Sequence, residues 1–154
     1  MGSPSPAGSV TDLLVVGYGN DLRSDDRAGR VVAEAIDEMG LDGVEVRSQS
    51  QLTPELALEV AGRARVVFVD ANVDVTEMTR FVVEAGPPAG GPMTHHGDPA
   101  SLLALVRNVG EQPGEAIVLS IPASNLEMGF ELSEATAAGV DQAIAEIVEL
   151  STEY

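Results

Sequence analysis

The fold of this chain is indicated most clearly by residues 13–26, which read LLVVGYGNDLRSDD. Four apolar residues lead into two glycines, and two adjacent carboxylates, Asp25 and Asp26, stand just before the helical pattern AGRVVAEAI. Glycine lets a backbone turn tightly where a strand ends, and acids are favoured at the start of a helix by its free N–H groups. The stretch therefore predicts a strand, a glycine turn and a helix. Because one acid suffices for a helix cap, the second is free for another role.

The rest of the chain alternates between strand and helix patterns. Continuous apolar runs at residues 65–70 and 116–121 predict strands that are covered on both faces. Further patterns predict strands at 44–47 and 81–84 and helices at 25–39, 53–62, 98–106 and 133–150. This order predicts a three-layer α/β/α sandwich of the phosphorylase/hydrolase-like class, with a mostly parallel twisted sheet of about five strands. Residues 1–10 are predicted to form a flexible tail, and residues 11–154 a single domain.

The composition excludes several common functions of α/β proteins. The chain has 154 residues and a net charge of −17, it has no cysteine, and its eight basic residues other than histidine are all arginines. The absence of lysine excludes a P-loop NTPase, a Schiff-base enzyme and a phosphorylated receiver domain. The absence of cysteine excludes disulfides and thiolate metal sites. Neither nucleic acid nor a membrane is expected as a partner, because an acidic surface repels phosphate groups. The lack of a signal-peptide pattern predicts a cytoplasmic protein.

Two common motifs for cofactor binding and catalysis are not satisfied. Gly17 and Gly19 match the first part of a dinucleotide-binding motif, but Leu22 takes the place of its third glycine. A nicotinamide or flavin site is therefore rejected. A Ser/His/Asp triad is only weakly supported, because no serine lies in a G-x-S-x-G turn. The serines near predicted strand ends or in loops are Ser24, Ser48, Ser50, Ser120 and Ser124.

Three residues with side chains that ligate metals are predicted to meet at one edge of the sheet. Asp26 follows the first strand, Asp70 ends a central strand, and His95 lies in a later loop. Ligands of such sheets bind outside the carboxyl ends of the strands, and carboxylate oxygen with imidazole nitrogen suits nickel, zinc or cobalt. Each residue also has a structural interpretation, because acids cap helices and turns and loop histidines are commonly exposed. His96 is adjacent, so the sequence leaves open which imidazole is used.

The segment Met128-Gly129-Phe130 interrupts the acidic residues Glu127, Glu131 and Glu134. The acids are expected to form a solvated face of the protein. The apolar residues among them would form either a docking surface or part of the packing over the sheet. Burial over the sheet is the favoured interpretation.

Taken together, these motifs resemble those of the hydrogenase maturation endopeptidases, which trim the C-terminus of the [NiFe]-hydrogenase large-subunit precursor. The opening motif of that family, a strand followed by G-x-G-N and L-x-x-D-D/E, corresponds to residues 15–26. Its V-x-x-x-D-A motif corresponds to residues 66–71, and its histidine before a helix to His95, which precedes Asp98-Pro99. The resemblance extends over about residues 12–150, essentially the whole predicted domain.

The resemblance implies a nickel-dependent endopeptidase of the aspartic type. Asp26, Asp70 and His95 would be its catalytic residues and its metal ligands, and the nickel would be supplied by the precursor that it cleaves. Within the acid pair, Asp25 fits the helix cap best and Asp26 the metal contact. The residues expected to contact the substrate are Asn20, Asp25, Arg27 and Thr53.

Arg27 departs from the family pattern, which usually has a glycine directly after the acid pair. Its side chain would narrow the site or bring a cation beside the metal, where it would also bind the terminal carboxylate of the substrate. Two alternative functions stay open. One is a diverged relative that binds a hydrogenase precursor or chaperone without cleaving it, and the other is a different metal-assisted hydrolase on the same fold.

Overall fold

Five strands form one sheet in the computed structural model, which describes residues 12–85, 98–111 and 114–152. The strands are β1 (Leu13–Tyr18), β2 (Val44–Gln49), β3 (Arg65–Asn72), β4 (Thr79–Val82) and β5 (Glu115–Pro122). Their order across the sheet is β2-β1-β3-β5-β4, and β4 at one edge runs antiparallel to β5 while the other pairs are parallel. The predicted mostly parallel sheet is confirmed. The predicted tail at residues 1–10 lies outside the described residues.

Helices cover both faces of this sheet. They are α1 (Ala28–Met39), α2 (Leu56–Val60), α3 (Pro99–Asn108) and α4 (Glu134–Leu150). α1 and α4 pack on the face that carries Leu13 and Val67, and α2 and α3 pack on the face that carries Leu14 and Phe68. Successive residues of a strand point to opposite faces, so residues 13–16 of β1 and 66–69 of β3 are all apolar because both faces of these strands are covered. The predicted three-layer α/β/α sandwich is confirmed.

The start of the first helix differs from the prediction. α1 begins at Ala28 and not at Asp25, because residues 24–27 form a separate 3₁₀ turn. The backbone of Ser24 has a φ of 48°, in the left-handed region, and the N–H groups of Ser24 and Asp25 donate to the carbonyls of Gly129 and Asn125. These long-range bonds keep the turn separate from the α-helix that follows it.

The observed bounds of α2 and α3 can be compared with those predicted from the capping residues in the sequence. α2 covers Leu56–Val60 and is shorter than the predicted 53–62, because the chain becomes extended at Ala61. α3 begins as predicted: Pro99 is its first residue, and Asp98 Oδ1 accepts a hydrogen bond from the Ser101 N–H at 2.7 Å. None of the helices in the described part of the chain combines the length and apolar character needed to cross a membrane.

The glycines that follow the first strand allow the backbone segments around the site to approach closely. A Cβ atom at Gly17 would lie 2.0 Å from the carbonyl oxygen of Gly29, and one at Gly29 would lie 2.3 Å from the carbonyl oxygen of Val69. At Gly19, φ is 151° and a Cβ would lie 2.0 Å from the carbonyl oxygen of Asp26. Larger residues would push α1 and the 3₁₀ turn away from β1 and β3. The glycines therefore determine how close Asp26 comes to the end of β3, where Asp70 lies.

Candidate active site

Asp70 lies near the carboxyl end of β3, where two hydroxyl groups orient its side chain. Its Oδ1 accepts a hydrogen bond from the Ser120 hydroxyl at 2.9 Å, and its Oδ2 accepts one from the Tyr18 hydroxyl at 3.1 Å. Ser120 is the register partner of Asp70 on β5, and Tyr18 is the last residue of β1. Three adjacent strands therefore contribute to the position of one carboxylate.

Asp26 lies in the 3₁₀ turn after β1, close enough to Asp70 for the two charges to interact. Its Oδ2 accepts a hydrogen bond from the Asn20 N–H at 2.9 Å, and the Asn20 Oδ1 accepts one from the Leu22 N–H at 2.8 Å. Within the described part of the chain, no hydrogen bond is made to the Oδ1 of Asp26. Asp26 thus has an oriented carboxylate, with one oxygen to which none of the described residues donates a hydrogen bond.

Burial, hydrogen bonds and the charge of Asp26 together set the pKa of Asp70. Burial raises the pKa of Asp70, the hydrogen bonds from Ser120 and Tyr18 lower it, and the negative charge of Asp26 raises it again; the net pKa lies above its usual value. The pKa of Tyr18 is also raised, first by burial and then by the charge of Asp70, so Tyr18 remains a hydroxyl donor. Either a proton or a cation placed between the two carboxylates would relieve their repulsion.

The third predicted ligand, His95, and its neighbour His96 lie outside the described residues. Across residues 12–85, 98–111 and 114–152, no group of three or more His, Asp or Glu side chains is arranged to hold a metal ion. The described residues thus provide two carboxylates with oxygen donors that suit a divalent ion. The complete ligand set of Asp26, Asp70 and His95 stays a prediction.

Asp25 has an environment quite unlike that of its neighbour Asp26. It is fully buried, and its carboxylate accepts hydrogen bonds at 2.7–2.9 Å from the N–H groups of Ser124, Asn125 and Ser133 and from the Ser133 hydroxyl. Burial alone would raise the pKa of Asp25, but these donors hold the pKa well below its usual range. The prediction that Asp25 caps the helix is wrong, because α1 starts later and has no side-chain cap. Its contact with a substrate stays a prediction, which this burial does not favour.

Among the described residues, Arg27 contacts Phe130 and Asp21 and forms no ion pair with either candidate ligand. Its guanidinium donates a hydrogen bond to the Phe130 carbonyl, and its central carbon lies 5.8 Å from the centre of the Phe130 ring. Asp21 is the one carboxylate among the described residues that pairs with Arg27, at 3.9 Å. The expectation of a cation beside Asp26 is therefore not met by the contacts that Arg27 makes.

Thr53 and the Met128-Gly129-Phe130 segment are the remaining predicted surface features. Thr53 is half-buried in the loop that follows β2, where its carbonyl accepts a hydrogen bond from the Leu56 N–H; its contact with a substrate stays a prediction. Met128 and Phe130 are 65% and 67% exposed. The predicted burial of this segment over the sheet is wrong, because its backbone pairs with residues 22–24 and not with a strand of the sheet.

Sequence reasoning missed the roles of Tyr18 and Ser120 as partners of Asp70. From the sequence, Ser120 is a candidate only for a weakly supported triad, although Asp70 and Ser120 each follow four apolar residues, 66–69 and 116–119. Neighbouring parallel strands that are in register place the polar residues that follow such runs side by side. Tyr18 gave no comparable signal, because a tyrosine between two glycines is also consistent with an exposed loop.

Comparisons with known proteins place this arrangement in a structural context. No family model and no curated protein sequence matches the chain. Among solved structures, the hydrogenase maturating endopeptidase HybD from E. coli is similar, with a TM-score of 0.72, 21% identity and 91% of each chain covered.

Two archaeal proteins are also similar. The [NiFe] hydrogenase maturation protease HycI from Thermococcus kodakarensis KOD1 has a TM-score of 0.70 at 20% identity, over 94% of this chain and 95% of its own. The hydrogenase 2 maturation peptidase from Thaumarchaeota archaeon SCGC_AB-539-E09 has a TM-score of 0.68 at 24% identity, over 93% of this chain and 100% of its own. The resemblance inferred from the motifs is thus confirmed at the level of structure: the chain has the fold of the hydrogenase maturation proteases.

Proposed function

We propose that this chain is an endopeptidase that removes the C-terminal peptide of a nickel-loaded [NiFe]-hydrogenase large-subunit precursor. The pair formed by Asp26 and Asp70 at the carboxyl edge of the sheet carries this proposal. It lies where ligands bind in parallel α/β sheets, and the fold is that of proteins that are named as hydrogenase maturation proteases. The cytoplasmic location stays a prediction from the sequence.

The two carboxylates have complementary properties for such a reaction. Asp26 has one oxygen that accepts no hydrogen bond from the described residues, and its charge acts on Asp70, whose pKa is raised mainly by burial. A cation that approaches the two carboxylates would stabilise their negative charges, so the nickel carried by the precursor would be attracted to the pair. His95 is the predicted third contact.

The neighbouring residues would keep this geometry during the reaction. Ser120 and Tyr18 hold the Asp70 carboxylate between two hydroxyl donors, and the Asn20 N–H holds that of Asp26. Oriented groups lower the barrier because no rearrangement is needed when the substrate binds. The chain itself therefore supplies positioned oxygen donors, and the precursor supplies both the nickel and the scissile bond.

A conservative substitution tests the proposal. Asp26→Asn keeps an oxygen that can accept the Asn20 N–H but removes the charge, so trimming of a nickel-loaded precursor is expected to slow by at least about 100-fold. The measurement is the intact mass of the precursor over time. Asp141→Asn, which removes an exposed acid from α4, is the matched control and is expected to act like the parent. Trimming by Asp26→Asn at the rate of the parent would contradict the proposal.

A further inference from the structure

We propose that an exposed apolar surface beside the candidate active site binds the segment of the precursor polypeptide that adjoins the scissile bond. The surface, called here the rim surface, is formed by Leu22, Met128 and Phe130, which are 50%, 65% and 67% exposed. The inferred occupant is a segment with apolar side chains. The inference rests on the proposed function, because it names where the substrate of that reaction would dock.

The rim surface is formed by two chain segments that are hydrogen-bonded to each other. The Gly129 N–H donates to the Leu22 carbonyl at 2.9 Å, and the Ser24 N–H donates to the Gly129 carbonyl at 2.8 Å. This is the pattern of a short parallel bridge between Arg23 and Gly129, so Leu22 and Met128 are register neighbours. Apolar residues that are far apart in sequence are therefore brought together.

The exposed side chain of Phe130 is held at the surface by contacts with Arg27. The Arg27 guanidinium lies 5.8 Å from the ring centre and also donates to the Phe130 carbonyl. A guanidinium near an aromatic ring stabilises it through a cation–π interaction. The arginine that replaces the usual family glycine thus supports an apolar side chain at the surface.

The backbone beneath the rim surface is held in place before any partner binds. Buried Asp25 accepts hydrogen bonds from the N–H groups of Ser124, Asn125 and Ser133, at the two ends of the segment that carries Met128 and Phe130. The Ser24 hydroxyl donates to the Glu127 carbonyl at 2.8 Å. A surface that is already ordered loses little entropy on binding.

The rim surface is continuous with the candidate active site. Leu22 belongs to the loop in which Asn20 orients Asp26, and the Leu22 N–H itself bonds to the Asn20 side chain. An endopeptidase cuts within a chain, so the polypeptide on at least one side of the cleaved bond must cross the surface next to the catalytic residues. Apolar side chains of that segment would cover Leu22, Met128 and Phe130.

The charges near the rim surface are consistent with a polypeptide partner. Arg23 is exposed, and no carboxylate in the described part of the chain pairs with it. In a protein with a net charge of −17, this unpaired cation lessens the repulsion of an acidic partner at this place. We therefore expect the bound segment to carry a carboxylate next to its apolar side chains.

Substitution of the rim surface gives a direct test. Met128→Ser combined with Phe130→Ser is expected to raise KM for the nickel-loaded precursor about tenfold, as truncation of central apolar contacts does, with the main loss in KM and not in kcat. Arg23→Glu is expected to raise KM about threefold, because one charged contact is reversed. The matched controls are Leu58→Ser with Val109→Ser, which change exposed apolar residues elsewhere, and Arg107→Glu.

A binding measurement separates this inference from the proposed function. Binding of the intact nickel-loaded precursor is measured in variants that also carry Asp26→Asn. The Kd is expected to rise in the rim variants by the same factors as KM and to stay constant in the controls. If the parent cleaves the precursor and all rim variants keep the KM and Kd of the parent, the inference is overturned and the proposed function stands. Binding without cleavage, weakened by the rim variants, would support the inference and overturn the protease function. A parent that neither cleaves nor binds the precursor would overturn both, and a change only in self-association would overturn the inference.

Discussion

Asp25 and Asp26 are adjacent in sequence, yet they belong to two regions with opposite properties. Asp25 is fully buried among donors from residues 124–133, which hold its pKa low. Asp26 is half-buried and keeps one oxygen free of hydrogen bonds to the described residues, and its negative charge acts on Asp70, which has a raised pKa. The difference shows that the number of donors around a carboxylate separates a structural acid from one that is available for ligands.

The largest expected effect on stability comes from Asp25. Asp25→Ala removes a fully buried carboxylate and leaves three backbone N–H groups without their acceptor, so we expect the free energy of unfolding to fall by about 3–5 kcal/mol. Urea unfolding followed by circular dichroism measures this loss. Asp141→Ala, on the exposed face of α4, is the control and is expected to change stability by less than about 0.5 kcal/mol. A similar small change for Asp25→Ala would contradict the assigned structural role.

Asp70 is expected to show the opposite pattern. Asp70→Asn removes a charge that the folded state disfavours, so the free energy of unfolding is expected to stay within about 1 kcal/mol of the parent or to rise. Trimming of the nickel-loaded precursor is expected to fall by at least about 100-fold. Urea unfolding and intact mass spectrometry on the same preparation measure both. A variant that loses several kcal/mol of stability would place Asp70 with Asp25 as a structural residue.

The comparison also predicts how stability depends on pH. The pKa of Asp25 is lowered on folding from its ordinary value of 3.8, so its stabilising contribution is complete above that value and is lost as the pH falls below it. The pKa of Asp70 is raised, so its charge destabilises the folded state above the folded pKa, and this penalty disappears as the pH falls toward 3.8.

Unfolding curves between about pH 3 and pH 7 would measure both contributions. The Asp25→Asn variant is expected to lose less stability than the parent below about pH 4, and Asp70→Asn is expected to gain relative to the parent only at the higher pH values. Parallel curves for the parent and both variants would show that neither carboxyl group has the assigned pKa shift.

Local patterns were sufficient to predict the part of the molecule that surrounds Asp26 and Asp70. Continuous apolar runs predicted the central strands of the sheet, and the ends of β1 and β3 placed both acids at one edge. The glycines between Val16 and Asn20 predicted the tight turn, and the Asp98-Pro99 pair predicted the start of α3. Each of these features depends on residues that are close in sequence.

The surroundings of Asp25 could not be predicted in that way. Its partners lie 99–108 positions further along the chain, and nothing in the pattern near residue 25 indicates them. The exposure of Met128 and Phe130 was missed for a related reason, because the pairing of Gly129 with the loop after β1 is equally distant in sequence. The role of His95 stays a prediction, since it lies outside the described residues.

The most direct test of the central claim compares nickel-loaded and nickel-free forms of the same [NiFe]-hydrogenase large-subunit precursor. Each form is incubated with the purified chain, and intact mass spectrometry follows the precursor. We expect the nickel-loaded form to lose the mass of its C-terminal peptide and the nickel-free form to keep its full mass. An unchanged mass for the nickel-loaded form, or equal trimming of both forms, would contradict the claim that Asp26 and Asp70 act on a nickel-bearing substrate.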